Sequence, residues 1–172
     1  MRFQFLLVPA AIIAAAPVQA DDLITVEKAQ QLLFPGATMI PADYLMSEAE
    51  IDRLAEATGI TVYRAKVRAW KASTGGWFFV DQVLGRDDRV TYALALNDDG
   101  SVKGIEIVVG LPQYGAVIRK DWQAHFKGKR HGDPQPEGIL VSGQTLTCVH
   151  VADGISRLLA TYDMFIAPKA KG

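Results

Sequence analysis

Residues 77–109 read WFFVDQVLGRDDRVTYALALNDDGSVKGIEIVV. Three runs rich in aromatic, β-branched and aliphatic residues, at 77–84, 90–96 and 102–109, have the length and composition of β-strands. The last two flank Asn97-Asp98-Asp99-Gly100, a hairpin turn sequence. Upstream, residues 61–70 alternate with one change of phase, at a bend or bulge, and Thr74-Gly75-Gly76 turns the chain into the next strand. The centre of the sequence therefore predicts an antiparallel meander of about four strands.

Helical periodicity surrounds it. Residues 25–34 place Val26, Ala29, Leu32 and Leu33 on one face and stop at Pro35-Gly36. Ser47 and Glu50 have the spacing of a capping box, which predicts a second helix that ends at Gly59. Residues 117–126 predict a third helix, with Val117, Ile118, Trp122 and Phe126 inward. A proline-bearing loop over 131–138 and a short extended piece at 138–141 lead to the longest helix, 145–165. Its apolar face carries Leu146, Val149, Ile155, Leu158, Leu159 and Tyr162, with Gly154 as its weak point. The fold class is α+β, a single domain with helices flanking an antiparallel sheet.

The chain has 172 residues, 49% hydrophobic and 22% charged, with a net charge of −1. That balance argues against disorder and against a generally basic nucleic-acid surface. One cysteine, Cys148, excludes an intrachain disulfide framework and an all-cysteine metal cage. Residues 1–20 combine Arg2, an apolar run over 5–16 and Pro17-Val18-Gln19-Ala20, the pattern of a secretory signal peptide cleaved after Ala20. No later run is long and apolar enough to span a bilayer. The expected mature chain, residues 21–172, is a soluble exported or periplasmic protein.

The segment with the most chemistry is Ser142-Gly143-Gln144-Thr145-Leu146-Thr147, a small glycine-bearing turn that sets hydroxyls at a helix start. Free N–H groups there favour an anion such as phosphate. Ser-x-x-Thr at a helix start is also ordinary capping, and spacing alone leaves both readings open.

The run 141–147, followed by Val151-Ala152-Asp153-Gly154-Ile155, resembles the Ser-Gly-Ala-Thr flavinylation segment of the FMN-binding domain family. That family includes flavin-carrying subunits of ion-pumping membrane redox complexes. Gln113-Tyr114-Gly115, then Ile118, Trp122 and Phe126-Lys127-Gly128-Lys129, are similar to its tyrosine–glycine turn and the helix after it. Phe34-Pro35-Gly36-Ala37 resembles its amino-terminal start, so the likeness covers roughly residues 25–165. The resemblance implies FMN joined through its phosphate to Thr145 by a dedicated flavin transferase, with Thr147 as the competing acceptor. It further implies Ser142, Gly143, Gln144, Tyr114 and Gly115 as flavin-binding residues. Three positions depart from the pattern: Gln144 stands for alanine, while Ile139 and Pro112 stand for acidic residues.

Trp70, Trp77 and Trp122 have the faces to shield a flavin ring, although their spacing suits core positions. His125, His131 and His150 are too dispersed for a metal site. Arg119, Lys120, Lys127, Lys129 and Arg130 form a basic cluster able to steer an acidic redox partner. No nucleophile–base–acid set and no dinucleotide fingerprint is present. The expectation is an FMN-carrying electron-transfer protein with a membrane or exported redox partner, rather than a self-contained enzyme. Its rivals are a cofactor-free binding module on the same scaffold and a reductase that holds FMN without a covalent bond.

Overall fold

In a computed structural model of the chain, the residues described are 24–86, 88–109 and 115–167. Residues 1–20, Pro112, Tyr114 and the tail from Lys169 lie outside them. The elements run α1 (Val26–Leu33), β1 (Met39–Pro41), β2 (Tyr44–Leu45), α2 (Glu48–Thr58), β3 (Lys66–Ala72), β4 (Trp77–Leu84), β5 (Arg89–Leu96), β6 (Val102–Val109), α3 (Gly115–Ile118), α4 (Lys120–Ala124) and α5 (Thr145–Thr161), which continues as a π-helical turn, Tyr162–Ile166.

The architecture is α+β, and the antiparallel sheet has six strands rather than about four. Its order is β1-β3-β4-β5-β6, with β2 also on β3. The two extra strands are three and two residues long, too short for an alternation signal. They run along the outer edge of β3, where Met39 pairs with Ala72 and Tyr44 with Val67. Pro41 is tolerated there because an edge strand can forgo one ladder hydrogen bond.

Alternate residues of the meander face two cores. Phe79, Tyr92, Leu94, Leu96 and Ile105 meet α5 and its neighbours on one side. Phe78, Val80, Ala93, Ala95 and Val108 meet Ala29 and Phe34 of the α1 region on the other. Both faces being covered explains why 90–96 reads as a nearly continuous apolar run instead of a clean alternation.

The caps form where the sequence places them. Ser47 Oγ accepts from the Glu50 backbone N–H, while the Glu50 carboxylate accepts from the Ser47 N–H and hydroxyl. Gly59 ends α2 at φ 68°, a left-handed conformation that glycine enters without a Cβ clash. Replacing Ser47 with alanine is expected to lower stability by about 1 kcal/mol. Urea unfolding checks it, and an unchanged midpoint would show that the box contributes nothing.

Other elements depart from expectation. Residues 60–65 are not in a strand, and the change of phase over 61–70 falls at a bend at Ala65, where the chain enters β3 at Lys66. The helix expected over 117–126 is two helices, split by extended geometry at Arg119 (ψ 133°). Residues 138–141 form no strand. Leu146 is half exposed instead of facing the core. Gly154 is a contact point more than a weak point, because a Cβ there would lie 2.4 Å from Tyr92 Oη.

Candidate functional site

The turn before α5 is built from the core outward. Ile139 is buried, and its carbonyl accepts from Trp122 Nε1 at 2.7 Å. This position therefore holds an apolar residue packed against the core rather than an acid facing solvent. Two residues on, the Val141 carbonyl accepts from the Gln144 N–H at 2.9 Å and from Thr145 Oγ1 at 3.1 Å. The chain reverses at Gly143, with φ 79° and open space where a Cβ would stand. A β-carbon would be strained here by the backbone conformation alone.

Gln144 is the N-cap of α5, yet its side chain does not cap that helix. It reaches across so that Oε1 accepts from the Ala116 N–H at 2.7 Å. An alanine could not make this bond. The longer side chain satisfies a first-turn donor of α3 and ties the turn to the Gly115 segment. Ser142, Gly143, Gln144, Thr145 and Gly115 are thus brought together, whereas Tyr114 lies outside the described residues.

The two candidate acceptors differ in access. Thr145 is exposed at the first position of α5. Thr147 is 1% exposed, and its Oγ1 is the one buried side-chain polar atom without a hydrogen-bond partner among the described residues. Burial without a partner costs about 1–3 kcal/mol. Beside it, Cys148 is fully buried and burial pushes its thiol pKa up, so it is a weak nucleophile.

The tryptophans are largely structural. Trp122 is buried against Phe126, Trp77 stacks on Phe79, and Trp70 meets Phe78 edge-on beneath Arg68. Much of the basic cluster is engaged: Arg119 pairs with Asp121, Lys120 with Glu106 and Arg130 with Asp99, and Lys129 donates to the Pro134 carbonyl. Those pairings weaken the field that the sequence suggested. His131 pairs with Asp163 and His150 with the Leu84 carbonyl. Among the described residues no three potential ligands gather to hold a metal, and no helix is long and apolar enough to cross a membrane.

Neither the Gln144–Ala116 bond nor the burial of Thr147 was legible in the sequence. Both depend on where α3 packs against α5. No protein-family model matches the chain, and no curated protein matches it.

Proposed function

We propose that this chain is an exported flavoprotein that carries FMN on Thr145 as a phosphate ester and relays electrons between a membrane redox protein and another exported acceptor. The observation that carries the reading is the exposed Thr145, its hydroxyl held toward the Val141 carbonyl, on a helix start without a side-chain cap and beside an open glycine turn. The donor set suits a phosphodiester. The first-turn N–H groups of α5 face the negative charge, and the helix dipole offsets part of it. Bound there, FMN would supply reversible electron transfer, with the protein setting its position and exposure.

The residues of the turn have separate tasks in this reading. Thr145 Oγ1 supplies the ester oxygen. Gly143 keeps the approach clear for the transferase and for the phosphate. Gln144, anchored on Ala116, holds the turn against α3 so that the acceptor stays fixed.

The test is mass spectrometry of the exported protein, made alongside an active flavin transferase with flavin adenine dinucleotide available as the donor, from whose pyrophosphate AMP leaves, and denatured to strip loose ligands. The peptide containing Thr145 should gain one FMN less one water. Thr145→Ala should abolish the gain and Thr147→Ala, at a buried position, should keep it. An unmodified peptide with FMN released on denaturation would replace the ester with non-covalent binding. An unmodified, colourless protein would leave the cofactor-free binding module.

A further inference from the structure

The β3–β4 ladder stops at the pair Arg68–Val80, but β4 continues to Leu84. Residues 60–65 run past this unpaired edge without joining the sheet. The gap between that segment, β4 and α5 is a cavity of about 700 Å³, within the range of small-molecule sites. Thr145 and the turn before it do not line it. On α5 its wall begins at His150, five residues beyond Thr145 and about 7.5 Å further along the helix axis.

The cavity has two chemically distinct zones. Ile60, Val62, Val67, Val83 and Leu158 provide apolar wall. The ionic groups within it are Asp81 and Arg157, which neutralise each other, and Asp153. Around the open edge of β4, on the face opposite Asp81 and Val83, two guanidinium groups converge on one neutral oxygen: Arg64 Nη2 donates to Gln82 Oε1 at 2.8 Å and Arg89 Nη1 at 3.4 Å. Gln82 Nε2 donates to Thr91 Oγ1 at 3.1 Å, which holds the amide with its oxygen toward both arginines. Lys66, at the rim, is paired outward with Asp43. Neither arginine side chain takes part in this or the other ion pairs named above, and the neighbouring Asp88 carboxylate accepts from the Arg89 backbone N–H at 2.7 Å.

Two like charges that share a neutral acceptor repel one another, and a single anion between them would relieve this while offering oxygens to both planar forks. The interior, apolar with one surplus carboxylate, disfavours a charged group and accepts hydrocarbon. We propose that this cavity binds a small amphipathic monoanion, a carboxylate with an acyl or aryl body, its head on Arg64 and Arg89 and its body passing the open edge of β4 beside Val62 to reach Val83 and Leu158. A multiply charged phosphate ester suits it less well, because the surplus carboxylate of Asp153 stands behind the arginines. This site is separate from the Thr145 turn and does not depend on what that turn carries.

Isothermal titration of the mature protein with decanoate, below its micelle concentration, tests the proposal. One saturable site is expected, with no heat of binding from decylammonium, which has the same chain and the opposite charge. Arg64 and Arg89 are exposed, so the double variant Arg64→Gln/Arg89→Gln should keep the parent's circular dichroism and melting temperature while weakening decanoate at least tenfold. Val62→Trp, which fills the apolar wall, should weaken it independently. Thr145→Ala should bind as the parent does. Absence of saturable binding, equal binding of decylammonium, or an unaffected double variant would overturn the proposal. Loss of binding in Thr145→Ala would also overturn it, by assigning the cavity to the flavin site.

Discussion

Gly154→Ala is expected to destabilise the protein by about 2 kcal/mol, although the same exchange in an open helix stabilises by about 1 kcal/mol. Gly154 lies inside α5, where it faces the sheet. A methyl group there would sit 2.4 Å from Tyr92 Oη and 2.9 Å from Val83 Cγ1. Neither neighbour can easily withdraw: Tyr92 is fully buried and donates to Asp81 at 3.1 Å, while Val83 packs against the same core. Overpacking typically costs about 1–3 kcal/mol and outweighs the gain in helix propensity. Gly154→Leu extends the clash and should leave no cooperative unfolding transition. Urea unfolding of Gly154→Ala decides the sign, and a raised midpoint would mean that α5 can lift from the sheet at no cost. In a Tyr92→Phe background the nearest oxygen is gone, so the alanine penalty should shrink, measurable as a coupling in a double-mutant cycle.

The same glycine illustrates which features a sequence can carry. Its low helix propensity is local and visible, and it marked Gly154 as a weak point. Its reason for being there is a tyrosine 62 positions away, which no local pattern encodes. The accurate readings share this locality: the Ser47–Glu50 box, the stop at Gly59 and the strands over 77–109 are each specified by residues within a few positions. The readings that failed depend on distant partners. β1 and β2 become strands because β3 offers them an edge, and residues 60–65, for all their alternation, find no partner strand. At the candidate site, the turn geometry at Gly143 and the exposure of Thr145 follow from their neighbours. The task of Gln144 does not, since Ala116 is 28 residues upstream. A glutamine that is a departure from a motif in one dimension is a hydrogen-bond acceptor for a neighbouring helix in three.

Removing the Arg157 charge should have the second large effect. Arg157 of α5 and Asp81 of β4 pair with side chains only 15% and 16% exposed, and Tyr92 Oη donates to the same Asp81 oxygen. Burial first, then the Asp81 charge, pushes the Tyr92 pKa well above its ordinary value, so this hydroxyl stays protonated and remains a donor. Arg157→Leu would leave Asp81 with one neutral partner, and with Asp153 near the vacated position. Breaking a buried pair in this way costs about 3–5 kcal/mol; because this pair borders a cavity that admits water, about 3 kcal/mol is expected. The exposed Arg119–Asp121 pair gives the contrast, with side chains 65% and 63% exposed. Arg119→Leu should shift stability by no more than about 0.5 kcal/mol. The double change Asp81→Asn/Arg157→Leu removes the stranded charge and keeps an acceptor for Tyr92. It should recover more than half of the loss, since most of the single-variant cost is an uncompensated carboxylate, not a lost attraction. If the double variant is as unstable as Arg157→Leu alone, the arginine acts by packing its stem between α5 and β4, and the ion pair has no energetic role in joining helix to sheet.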